Sequence, residues 1–101
     1  MSKKKVDNKK QAKGFSLAWT DNAWEDYLYW QGEDMKILAE INSLLEECQR
    51  HPFTGTGKPE PLKNNLTGFW SRRINKVHRL VYLPEDNAIY VVACRFHYGS
   101  E

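Results

Sequence analysis

From Phe15 the chain alternates: Phe15, Leu17 and Trp19 are apolar, with Ser16 and Ala18 between them. A period of two predicts a short strand with one apolar face. The period lengthens after Thr20. Thr20 can cap a helix, and Asp21, Glu25 and Asp26 suit the positive N-terminal end of one. Trp24, Tyr27, Leu28 and either Trp30 or Gln31 recur at helical spacing, and Gly32 is the expected break. A second helix is predicted over about 33–49, where Ile37, Leu38, Ile41, Leu44, Leu45 and Cys48 form one apolar stripe. Glu40, Glu46 and Glu47 lie off that stripe and read as a solvated face. Arg50-His51-Pro52-Phe53 ends the helix, and Thr54 to Pro61, with two glycines and two prolines, reads as a loop. From Leu66 the period is two again. Strands are expected near 69–74, 79–83 and 89–96, with turns at Asn75-Lys76 and at Pro84 to Asn87. The connections are too short for crossovers, so this meander is antiparallel. On the last strand, alternation would put Arg95 and His97 on one face and Cys94, Phe96 and Tyr98 on the other. The helices must cover something, and a sheet is the only candidate. The fold class expected is therefore α+β: a two-helix hairpin on a mainly antiparallel sheet of four or five strands.

A length of 101 residues makes one domain, and a 41% hydrophobic composition is enough for an ordinary core. No run approaches the roughly 18 apolar residues of a membrane span. The lysine-rich start is not followed by an apolar stretch, so it does not read as a secretory signal. Residues 1–14 show no apolar period and read as a basic disordered tail; 15–98 form the domain, and 99–101 a short extension. Cys48 and Cys94 have no metal-ligand spacing and read as small buried thiols of a reducing cytosol.

The net charge of +2 hides an asymmetry. Residues 1–14 hold six lysines and one aspartate, residues 15–48 one lysine and eight acids, and residues 49–101 eight basic residues and four acids. The acidic third and the basic half should occupy different surfaces, and a polyanion would meet only the basic one. The basic charge concentrates at Arg50, Lys58, Lys63, Arg72, Arg73, Lys76 and Arg79, with Phe69, Trp70 and Tyr82 interleaved. That is the footprint of a surface holding a phosphate backbone and stacking bases. Glu60 is the one acid from Arg50 to Arg79, flanked by Pro59 and Pro61, which restrict its backbone. A carboxylate on a stiff loop within a cationic field is a candidate proton acceptor. A rigid connector whose glutamate points to water would carry the same residues. His97 is likewise either a surface histidine or, beside Arg95, a group that meets substrate.

Longer segments resemble a known family. They are W-E-D-Y-L-Y-W-Q at Trp24–Gln31, H-P-F-x-G-x-G-K-P-E-P-L-K at His51–Lys63 and L-T-G-F-W-S-R-R-I at Leu66–Ile74. H-R-L-V-Y at His78–Tyr82 and A-C-R-F-H-Y at Ala93–Tyr98 complete the set. Together they resemble the Txe/YoeB family of ribosome-dependent mRNA interferase toxins, within the wider RelE-like toxins, from Leu17 to Tyr98. The resemblance implies a cytoplasmic toxin that cuts mRNA in the A site of the 30S subunit, a Phd/YefM-type antitoxin as partner, and a homodimer. It implies Glu60 as general base, Arg79 at the reacting phosphate and His97 as general acid, with Tyr98 and Arg73 in support. Arg72, Lys58, Lys63 and Arg95 are further candidates for RNA contact. The family often has Tyr where Phe96 stands, a hydroxyl its catalysis does not normally use.

The residue types fit that chemistry independently. RNA can be cut without a metal or cofactor, because its own 2′-OH attacks the adjacent phosphate. The reaction needs a base, a cation on the phosphorane and an acid for the 5′ oxygen. No HxxE, DxD or Cys/His cluster offers a metal site. A non-catalytic RNA- or DNA-binding module and an antitoxin-binding domain on the same fold remain the rival readings.

Overall fold

The computed structural model describes residues 14–96. β1 (Ser16–Trp19) leads into two helices, α1 (Asp21–Glu33) and α2 (Met35–Arg50), and then into four strands. These are β2 (Glu60–Pro61), β3 (Trp70–Arg73), β4 (Arg79–Glu85) and β5 (Ala88–Ala93), with a 3-10 turn at Asn64–Leu66. The sheet order is β1-β5-β4-β3-β2. β1 runs parallel to β5 and every other pair is antiparallel. The helical hairpin carries the chain from one edge of the sheet to the other, and the returning meander brings β5 alongside β1 in parallel.

Local chemistry explains the boundaries. Thr20 Oγ1 accepts from the Ala23 N–H at 3.1 Å and caps α1 as expected. The break between the helices is Asp34 rather than Gly32, which lies inside α1. The Asp34 N–H donates to the Trp30 carbonyl, while its carboxylate accepts from Lys36 and Ile37. One residue thus ends one helix and starts the next, without the left-handed backbone a glycine would supply. β4 continues through Pro84 to Glu85, beyond the expected turn. Pro84 is tolerated because β3 pairs with β4 only as far as Tyr82. The turn itself is Asp86-Asn87, with φ of 53° and 63°, the positive pair that a tight two-residue hairpin requires. The two-residue β2 was hidden inside a segment that reads as loop.

The helices cover one face of the sheet. Ile41, Leu44, Leu45 and Cys48 of α2 meet Leu80, Tyr82, Ile89 and Val91 in a single core. Phe15, Leu17 and Trp19 close its β1 side. Both cysteines are buried and free. Trp24 lies outside the core, stacked on Tyr27 with ring centroids 5.6 Å apart.

Ile41 is wholly buried. Ile41→Asp would bury an unpaired charge at a cost of several kcal/mol, comparable with a typical domain stability of about 5–15 kcal/mol. Circular dichroism on heating should show no cooperative transition. A native melting curve would contradict this packing.

Candidate active site

The approach to Glu60 is held by Arg72, whose guanidinium is fully buried. Its Nε donates to the Tyr82 hydroxyl at 3.0 Å. Nη1 donates to the Thr56 carbonyl at 3.0 Å and to Glu47 Oε1 at 3.4 Å. Nη2 donates to the His51 carbonyl and, at 2.8 Å, to that of Thr54. The Tyr82 hydroxyl in turn donates to the Pro52 carbonyl at 2.6 Å, and burial pushes its pKa up, so it stays a donor. Glu47 accepts from the Thr56 N–H at 3.1 Å. Hydrogen bonding from Thr56, aided by nearby Arg72, lowers the Glu47 pKa. The next loop carbonyl, Gly57, accepts from the Arg73 N–H at 2.7 Å. Gly57 has φ of 84°, and a Cβ there would lie 3.1 Å from the Arg72 Cβ and the Arg73 carbonyl oxygen, so glycine suits it.

Two expectations are corrected here. Arg72 does not line an external groove, because neighbouring residues of a strand face opposite sides. Arg72 is paired with Leu80 and faces the helices, whereas Arg73 is exposed. Glu47 is not simply solvated; it binds the loop and Arg72.

On the other face, pairing aligns Glu60 with Ser71, Ser71 with Val81, and Val81 with Ala93. Arg73 pairs with Arg79 two positions further along. By alternation Glu60, Arg73 and Arg79 share the face opposite the helices, with Glu60 two strands from Arg79, about 10 Å across the sheet. Arg79 is half-buried, and its Nη1 donates to the carbonyls of Asn75 at 3.1 Å and His78 at 3.3 Å. Among the described residues, neither Arg73 nor Arg79 forms an ion pair. Lys58 and Lys63 are exposed on either side of Glu60. Glu60 and Lys63 also line a cavity of about 360 Å³ together with Leu62, Asn64, Asn65 and Leu66.

The exit from β5 is the third component. The strand stops at Ala93, short of the expected Phe96, so the anticipated alternation does not hold over 94–96. The Cys94 N–H donates to Asp26 Oδ2 at 3.1 Å, and its carbonyl accepts from Trp30 Nε1 at 2.8 Å. Burial pushes the Cys94 thiol up to about 12, which leaves it protonated and unreactive. Burial also raises Asp26, against the Cys94 N–H bond. Arg95 lies 3.5 Å above the Tyr29 ring of α1 and 4.5 Å from the Phe96 ring. It is engaged on α1 rather than on the face that carries Glu60. Phe96 takes a left-handed φ of 68°. The Arg79 N–H donates to its carbonyl at 3.0 Å, which places the chain just before His97 against the first residue of β4. His97 and Tyr98 lie outside the described residues. Sequence reasoning gave His78, Asp26 and Trp30 no part in this exit, since the contacts that hold it join distant parts of the chain.

Known proteins resemble this chain over most of its length. The family described as YoeB-like toxin of bacterial type II toxin-antitoxin system matches residues 19–98. The Escherichia coli (strain K12) protein Toxin YoeB is 55% identical over 82 residues, 81% of this chain and 98% of that protein. The YoeB dimer from Staphylococcus aureus superposes with a TM-score of 0.79 at 46% identity, covering 85% of this chain and all of that one. A YoeB-YefM complex from Staphylococcus aureus superposes with a TM-score of 0.77 at 45% identity, over 86% of this chain and all of that one.

Arg72→Met would leave three loop carbonyls and a tyrosine hydroxyl without their donor. Chemical denaturation should show a loss of about 3–5 kcal/mol, against about 0.5 kcal/mol or less for Arg73→Met on the surface. Equal losses would contradict the inward placement of Arg72.

Proposed function

The chain belongs to the YoeB-like toxin family of bacterial type II toxin-antitoxin systems, and on that footing we propose that it is a ribosome-dependent endoribonuclease cutting mRNA in the A site. The observation that carries the reading is the common face of Glu60, Arg73 and Arg79, with Phe96 bonded to the Arg79 backbone beside it.

Glu60 takes the proton from a ribose 2′-OH, and the 2′ oxygen attacks the adjacent phosphorus. Arg79, supported by Arg73, stabilises the negative charge that gathers on the phosphorane. His97 protonates the departing 5′ oxygen as its bond to phosphorus breaks. The products are a 2′,3′-cyclic phosphate and a 5′-OH. DNA lacks the nucleophile and is spared. Lys58 and Lys63 hold flanking phosphates, and Tyr98 supports the acid. Glu60 and Arg73 are exposed and few groups surround them, so the ribosome supplies the in-line orientation, which can be worth about 7–11 kcal/mol. The site of action is the cytoplasm. Among the described residues no helix is long and apolar enough to cross a membrane.

Glu60→Gln, Arg79→Ala and His97→Gln should each reduce cleavage by about 10²–10⁴-fold while circular dichroism shows a native fold. Primer extension on programmed ribosomes measures this. Undiminished cleavage by folded Glu60→Gln and His97→Gln removes the assignment of base and acid. Wild-type protein that binds ribosomes yet leaves mRNA whole favours a non-catalytic binding module.

The partner proposed is a Phd/YefM-type antitoxin whose acidic segment folds onto the Arg73 and Arg79 face. The Staphylococcus aureus relative is known both as a dimer and in complex with YefM, and a homodimer is proposed on the same footing. Arg73→Glu should weaken antitoxin binding by about tenfold at low salt, measured by calorimetry. Unchanged affinity would place the antitoxin elsewhere. Arg72, being buried, is not a test of this contact.

A further inference from the structure

His78 stands at the entry to β4, next to Arg79, and has no part in the chemistry above. Its Nδ1 lies 2.7 Å from the Phe96 backbone nitrogen, which donates to it. The Phe96 carbonyl accepts from the Arg79 N–H at 3.0 Å. His78 and Arg79, the first residue of β4, therefore grip both polar groups of one residue of the exit chain. That residue is an aromatic in the left-handed region, a conformation bulky side chains rarely adopt without an external constraint. Phe96 is 55% exposed, so core packing does not supply the constraint. Its ring tilts 5.8 Å from the imidazole, whose other neighbour is the edge of Trp30 at 4.7 Å.

We propose that His78 is a positioning residue: by accepting from the Phe96 N–H in its neutral form, it holds the exit chain at Phe96 against the start of β4, a placement on which the general acid depends. The proposal rests on the reading of His97 as general acid.

The chemistry sets the sign of its pH dependence. A backbone N–H can only donate, so the bond requires a bare Nδ1 lone pair, and the ring proton must sit on Nε2. A protonated imidazole would turn N–H toward N–H and release Phe96. The charged groups around His78 are Asp26 from α1, Arg95 from the exit chain and its neighbour Arg79. Burial lowers the His78 pKa, Arg95 lowers it further and Asp26 opposes them. The folded value thus lies below the ordinary 6.5. The contact is fully present above that value and is lost as pH falls through the folded pKa. Protonation of His97, the acid, has the opposite effect on rate, so the two histidines are separable by direction.

The test compares wild type, His78→Leu and His78→Asn, each with its melting curve. Asn places Oδ1 near the position of Nδ1, an acceptor that does not titrate; Leu removes the acceptor. Cleavage of A-site mRNA is followed from pH 5.5 to 8, with amide exchange of Phe96 measured by NMR on the free protein. His78→Leu should lower kcat by on the order of 10²-fold with KM changed less than about twofold. His78→Asn should recover most of the neutral rate and lose the fall in rate that wild type shows in acid. What Glu60 contributes in acid is common to both proteins. Phe96 amide protection should drop about tenfold or more in His78→Leu and stay in His78→Asn, the size expected for one lost hydrogen bond. Unchanged Phe96 protection in His78→Leu overturns the proposal, as does an acid limb in His78→Asn as steep as that of wild type. If His97→Gln still cuts mRNA, the assignment of the acid fails, and the Phe96 amide alone then decides whether His78 holds the turn.

Discussion

Arg72 presents five N–H donors in a fixed fork, and each finds an acceptor: Tyr82, Glu47 and the carbonyls of His51, Thr54 and Thr56. A buried charge is costly unless its donors are all satisfied, and the ion pair with Glu47 offsets only part of that cost. The loop carbonyls supply the remainder. The loop between α2 and β2 has few apolar side chains with which to pack, so a guanidinium filling its interior takes the place of a small core. With the carbonyls of residues 51, 52, 54, 56 and 57 tied to β3, to Arg72 or to Tyr82, the backbone reaches Lys58 along a set path. Glu60 then enters the sheet opposite Ser71. Lysine, a point charge with three donors, could not reproduce this arrangement.

The other end of the candidate site is built by different means. No single side chain dominates; Cys94 is held by Asp26 and Trp30, Arg95 by the face of Tyr29, and Phe96 by His78 and Arg79. Most of these bonds are made by helix α1 and the start of β4. The helix layer therefore acts on the opposite face of the sheet indirectly, by steering the chain that leaves β5. The contrast has a dynamic consequence. A loop filled by a buried ion is stiff. An exit chain held by half-exposed contacts, one of them titratable, is the more responsive part.

Charge separates by layer in the same way. Glu25, Glu33 and Glu46 lie exposed on the helices, whereas Lys58, Lys63 and Arg73 are exposed on the strands and connections of the β2–β4 side. A polyanion approaching the sheet is drawn to the edge that carries Glu60 and repelled from the hairpin. Burying Arg72 removes one charge from that surface, yet its effect remains, since the loop it holds carries Lys58 and leads to Lys63.

Periodicity in the sequence was sufficient for the two helices, the antiparallel meander of β3 to β5 and the α2 stripe, because those signals are local and each buried position repeats at a fixed interval. Motif segments likewise pointed to Glu60, Arg79 and His97. What residue spacing could not decide was which member of Arg72-Arg73 turns inward, since both parities of a strand look alike until register with β4 is known. The same holds for β2, two residues long and defined only by its pairing, and for Asp34, whose capping bonds outcompeted a glycine break at position 32. The exit from β5 is the clearest case. Alternation predicts a strand over 89–96, but Asp26, Trp30 and His78 come from distant parts of the chain. Their hydrogen bonds turn it at Phe96. Sequence determined which groups were available, and long-range hydrogen bonding decided which way each of them faces.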